Sequence, residues 1–263
     1  MKLDAYKLKL IAIIAMFFNH MVIAWWVIIP EWLRFPMYAV GGITFPVLAY
    51  FVVEGYRHTS SLKRYVLRLL GFGLLAMPFH IVAISVSFGG GHPNAYPWLN
   101  IMFTIAASLG VLALYDKIKS RVLFWLLYVV VIVPLSFFLL EWYFIGPTTV
   151  LLFYVIKKEN VRRVVAPLFA GVMMFLGALL PLGLPESMLP EGFTPLVAYP
   201  GFPNVMATFA IGCVAAAILL LNYNGQRGKK MKWLFYAFYP LHFVLLAVVA
   251  LALGFVDLSF FGI

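Results

Sequence analysis

The chain has 263 residues, of which 65% are hydrophobic, 17% aromatic and 11% charged, and it carries a net charge of +10. A soluble domain is about half apolar and a quarter charged, so this composition excludes a single water-soluble core and makes lipid the solvent. The lone cysteine, Cys213, excludes an internal disulfide framework, and no metal cofactor is expected.

In chain order, the apolar runs predict about nine membrane helices of roughly 20 residues each, at 8–29, 36–56, 65–88, 99–115, 122–140, 142–156, 164–184, 203–221 and 233–254. The sixth is short. No small-residue cleavage site follows the first run, so it is expected to persist as a helix rather than leave as a signal peptide. No long polar linker divides the chain, and a single domain over 1–263 is expected. The fold class is therefore all-α: a polytopic transmembrane helical bundle.

Charge divides the loops independently of hydropathy. Of the 19 Lys and Arg residues, all but Arg34 fall in the amino-terminal tail and in alternate loops, around Arg57–Arg68, Lys117–Arg121, Lys157–Arg163 and Arg227–Lys232. The intervening segments carry Glu31, Glu141, Glu186, Glu191 and Asp257. Basic loops stay on the cytoplasmic side, which places the amino terminus inside, the carboxyl terminus outside, and the protein in the cell inner or plasma membrane as a multi-pass chain. The same placement explains the basic excess through the lipid bilayer and leaves no call for nucleic acid. Two outer loops, 89–97 and 185–203, are rich in Gly and Pro and read as irregular caps. An oligomer through a lipid-facing stripe is compatible with the pattern.

An ionisable side chain at membrane depth is costly and marks function by default. His20, beside Asn19, sits halfway along the first run. It reads as a general base, because imidazole exchanges protons near neutral pH, or as a histidine satisfied by a neighbouring carbonyl. Glu54, Arg57 and His58 share one helix face at i, i+3 and i+4, as a polar cluster at a cavity mouth or a local ion pair. Arg64 and Arg68 are four apart and suit a phosphate, or lipid headgroups. Asn100 and Thr104 open the fourth run, and His242 lies in the ninth, after Pro240. His80 reads as a structural histidine and His92 as solvated. Arg227 and Lys229, in NGQRGKK, offer cations to a phosphate or form a positive-inside turn; no P-loop signature is present.

Four blocks carry a family resemblance: LKLIAIIAMFFNHMV, FPVLAYFVVEGYRHTSSLKRYVLRLLGFGLLAMPF, NIMFTIAASLGVLALYD and NGQRGKKMKWLFYAFYPLHFVLL. They resemble the TraX family, typified by the conjugative pilin acetylase, within the wider set of membrane acyltransferases. The second and fourth blocks are the specific ones; residues 120–220 match only as generic membrane helices. The resemblance implies acetyl transfer from cytoplasmic acetyl-CoA, a CoA thioester donor, to an amine or hydroxyl on a protein or glycan acceptor. It implies a catalytic group of His20, Asn19 and Glu54, with Asn19 standing where the family commonly has Asp. Arg57, His58, Arg64, Arg68, Arg227 and Lys229 would bind the donor, and Asn100, Thr104, Tyr239 and His242 would hold an oxyanion or orient substrate. The alternative is a small-anion or proton-coupled transporter using the same cavity.

Overall fold

The computed structural model describes residues 2–26, 28–86, 99–179 and 202–254. Residues 89–97 with His92, 185–201 with Glu186 and Glu191, and Asp257 lie outside the described residues. The described chain is helical throughout: α1 (Ala5–Ala24), α2 (Glu31–Gly41), α3 (Thr44–His58), α4 (Leu62–Val86), α5 (Ile101–Lys117), α6 (Arg121–Leu127), a π-helical turn (Tyr128–Ile132), α7 (Val133–Leu139), α8 (Ile145–Val155), α9 (Glu159–Leu179), α10 (Phe202–Leu221) and α11 (Lys232–Ala252). Five stretches are long and apolar enough to cross a membrane: α1, α2 with α3, α4, α9 and α11. The α6–α7 stretch, α8 and residues 207–221 of α10 are apolar but shorter. This is a multi-pass membrane protein; the described parts of the expected runs are helical, and five stretches, not nine, are long and apolar enough to span among the described residues.

Local chemistry sets the helix ends. The Asp4 side chain accepts the Lys7 N–H at 2.8 Å and starts α1, satisfying one of the donors a helix start leaves open. Leu8, Ala12 and Met16 then repeat every four residues as a buried stripe. The second run, expected as one helix, is broken at Gly42–Ile43. There the Thr44 hydroxyl donates to the Ala12 carbonyl at 3.1 Å. The break coincides with a close crossing against α10: a Cβ on Gly42 would lie 2.1 Å from the Phe209 carbonyl oxygen, and one on Gly212 would lie 2.0 Å from that of Ala39. Glycine is what lets these backbones touch.

Hydrogen bonds tie the helix ends into two groups. At the basic end, Leu3 N–H donates to the Asn222 carbonyl at 2.9 Å, and Tyr56 and Tyr154 both donate to Asp116. At the opposite end, Leu99 N–H donates to Leu139 at 2.9 Å, and Glu141 N–H donates to Leu99 at 3.2 Å. The stretch from α6 to α7 is peripheral. Val122, Leu126, Val129 and Val130 are exposed, as suits a helix with lipid on most sides.

Candidate functional site

His20 of α1, His80 of α4 and His242 of α11 meet in the core, each buried. His20 Nδ1 lies 2.8 Å from His242 Nε2, and the two rings stack. Phe243 packs against all three imidazoles. The turn between α7 and α8 supplies a carboxylate: Glu141 Oε1 is 3.9 Å from His20 Nε2, and its Oε2 is 3.8 Å from His80 Nε2. Those separations exceed a direct hydrogen bond. Tyr239, one turn before His242, is buried against the same centre.

The hydrogen-bond chain assigns the tautomers. His242 Nδ1 lies 3.0 Å from the Phe238 carbonyl. A carbonyl only accepts, so Nδ1 carries the proton. In the neutral ring Nε2 then holds a lone pair, and His20 Nδ1–H must donate to it. That leaves the lone pair of neutral His20 on Nε2, directed at Glu141. A backbone carbonyl on α11 thus orients the imidazole on α1. Burial pushes the Glu141 carboxyl above the ordinary carboxylate range, and the His80 ring and the Ile101 N–H oppose that rise.

Asn19 does not orient His20. Successive helix residues point about 100° apart, and Asn19 turns to α2, where its side chain lies within 2.8 Å of where a Gly41 Cβ would stand. Asn100 is fully buried and caps α5: its Oδ1 accepts the Met102 N–H at 3.1 Å, and its Nδ2 donates to the Gly73 carbonyl at 2.9 Å. Thr104 packs at the α5–α8 crossing, where its methyl would lie 2.5 Å from a Cβ on Gly146.

Glu54 stands apart from His20. Ala12 and Thr44 are level with each other. His20 lies two helical turns beyond Ala12, and Glu54 lies nearly three turns beyond Thr44 in the opposite direction. At 1.5 Å rise per residue the two are roughly 25 Å apart along the bundle. Glu54 instead accepts from Arg162 at 3.1 Å and pairs with Arg57 at 3.4 Å, while His58 Nδ1 bonds the Glu54 carbonyl at 2.8 Å. Arg162 also pairs with Glu159. Arg163 pairs with Glu159 at 2.8 Å and donates to the Tyr50 hydroxyl at 3.2 Å. Arg162 and Arg163, expected as surface topology charges, are buried. Their network staples α3, α9 and the end of α10. It corrects the shared cavity expected for His20 and Glu54, and it leaves Arg57 neutralised.

The other cations are differently placed. Among the described residues, Lys9, Arg64, Arg68, Arg227 and Lys229 have no carboxylate within ion-pair distance. Arg68 lies over Tyr65 and Tyr236, with its Nε buried and unpartnered. Lys9 lies 4.7 Å over the Phe51 ring with Arg227 as its charged neighbour, and Lys229 lies over Tyr6. A cleft of about 470 Å³ lies nearby, lined by Tyr56, Arg57, Thr59, Leu62, Asp116 and Tyr154. Among the described residues no three His, Cys, Asp or Glu side chains come together in a geometry that could hold a metal ion.

Sequence reading missed Glu141, because a carboxylate between two apolar runs reads as an outer loop. Its one distinguishing signal is the absence of polar neighbours in LLEWYF. It also undervalued His80, which faces the same carboxylate.

Fold and site together define a polytopic helical membrane protein with a buried imidazole–carboxylate centre. The chain belongs to the TraX family, whose model, described as TraX protein, matches residues 5–250. It is also similar to a protein of Dichelobacter nodosus described as "Probable fimbrial assembly protein FimC, serogroup H1", with 30% identity over 261 residues, covering 92% of this chain and 94% of the relative. No solved structure matches the chain.

Proposed function

We propose that this protein is an acetyl-CoA-dependent acetyltransferase of the cell inner membrane, acting on an amine or hydroxyl of a protein or glycan. The TraX family is associated with pilin acetylation, and the name of the Dichelobacter nodosus relative points to fimbrial assembly; both fit a surface-protein acceptor. The observation that carries the reading is the His20 Nε2 lone pair, fixed by His242 in a water-poor core. His20 takes the proton from the acceptor N–H or O–H as that atom attacks the thioester carbonyl. The new C–N or C–O bond forms, the C–S bond breaks, and the proton passes from His20 to the departing thiolate, giving CoA thiol and acetylated acceptor. Arg64, Arg68, Arg227 and Lys229, cations without carboxylates at the basic end, bind the donor phosphates. That end faces the cytoplasm, where the donor is found.

The test incubates purified protein with radiolabelled acetyl-CoA and membrane extract. Label transferred by the wild type, and lost about 100-fold or more in a folded His20→Ala protein, is the expected result, the usual scale of a general base. Transfer by His20→Ala at the wild-type rate would remove the reading.

A further inference from the structure

Among the described residues, three polar atoms of the buried centre, His80 Nε2, Glu141 Oε2 and the Tyr239 hydroxyl, have no hydrogen-bond partner, and all three are closed to solvent. They come from α4, the α7–α8 turn and α11. Glu141 stands between His20 and His80 at 3.9 and 3.8 Å, and it is a charged neighbour of Tyr239. A buried donor or acceptor left unmade is costly to keep. Gaps of this length between polar groups fit a third polar group seated between them.

The centre also has a direction. The His20 and His80 side chains keep 6% and 5% of their surface, whereas Glu141 keeps 21%. Glu141 belongs to the end where its own N–H bonds Leu99, the end opposite Lys229 and Arg227. Glu141 therefore lies nearer the surface of that end than the imidazoles do, on the side away from the unpaired cations.

We infer that the group acetylated by this protein enters from the end opposite the basic one, passes Glu141, and is held by Glu141, His80 and Tyr239 against His20. The inference rests on the acetyl-transfer reading and adds the acceptor's side and binding residues. The chemistry recognised is an amine or hydroxyl. Its X–H donates to the His20 Nε2 lone pair. Glu141 accepts a second proton from an amine, or the proton of a neighbouring hydroxyl, and the Tyr239 hydroxyl donates to the heteroatom or to its substituent. Donor and acceptor thus approach His20 from opposite ends and never compete for one mouth.

Two experiments test this, and the first needs no catalysis. In a Cys213→Ala background, Glu141→Cys and Lys229→Cys proteins are reconstituted in sealed, uniformly oriented vesicles and exposed to a membrane-impermeant maleimide from each side. Labelling of position 141 from the face opposite that which labels position 229 is expected. Labelling from the same face, or from neither while position 229 reacts, would overturn the inference even if acetyl transfer is real.

The second compares Glu141→Gln and Glu141→Asp, with glycinamide and methyl glucoside as amine and hydroxyl acceptor probes. Gln is expected to raise the KM of whichever probe is used by about tenfold or more, the loss of one charge-assisted hydrogen bond, with the acetyl-CoA KM unchanged and partial recovery in Asp. An acceptor KM unmoved by Gln, or both KM values rising together, would overturn it. A wild type that transfers to no acceptor at all, with opposite-face labelling intact, would sink the acetyl-transfer reading alone.

Discussion

The basic end and the core of this bundle hold polar groups of opposite character. At the basic end, Glu54 and Glu159 form ion pairs with Arg57, Arg162 and Arg163, and the Tyr50 hydroxyl donates to Glu159. In the core, among the described residues, His80 Nε2, Glu141 Oε2 and the Tyr239 hydroxyl have no hydrogen-bond partner. Where ion pairs and hydrogen bonds run between α3 and α9, the residues hold helices together. At the histidine centre the carboxylate stands 3.8 and 3.9 Å from two imidazoles, too far for a direct hydrogen bond. Ion pairing, rather than the mere presence of charge at membrane depth, therefore separates scaffold from site.

Breaking the scaffold should show this most strongly. Arg162→Ala leaves Glu54 with only the part-exposed Arg57 and Glu159 with only Arg163. It is expected to cost about 3 kcal/mol, the low end for a buried pair, because Glu159 keeps 43% of its side-chain surface. A fall in thermal midpoint in detergent, with residual transfer per folded molecule intact, is the predicted signature. A stable but inactive Arg162→Ala protein would move this network into the site.

The unpaired cations sharpen the comparison at a smaller scale. Arg68→Ala or Arg227→Ala is expected to raise the acetyl-CoA KM about tenfold, as for loss of one charge-assisted contact, with kcat and thermal midpoint held. Arg57→Ala should do least. Its pair with Glu54 is long and 32% open, and an exposed pair contributes under about 1 kcal/mol. Measured beside Arg68→Ala, an unchanged donor KM is expected. A rise equal to that of Arg68→Ala would return Arg57 to the donor site and place the 470 Å³ cleft within it.

Much of the architecture was legible because lipid allows few solutions. Helices must satisfy their own backbone, so apolar runs mark them, although five described stretches rather than nine are long and apolar enough to span. The break at Gly42 was not legible, since it answers to Gly212, far away in sequence. His20 and His242 stood out as rare polar residues in apolar runs, but nothing in the sequence said that they touch. The spacing of Glu54, Arg57 and His58 correctly placed them on one face of α3. It could not reveal that Arg162, 108 residues away, claims the carboxylate. Asn19 misled for a geometric reason: adjacency in a helix turns side chains apart rather than together.

The tautomer order set by the Phe238 carbonyl has a further consequence for traffic through the bundle. A hydrogen ion arriving on His20 cannot hop onward through His242, because the far nitrogen of that ring already donates to a peptide oxygen and has nowhere to discharge. The pair is a cul-de-sac for charge. Whatever His20 picks up it must give back through the same Nε2, which suits a group that lends a proton within one turnover and argues against a wire that would short-circuit the membrane potential.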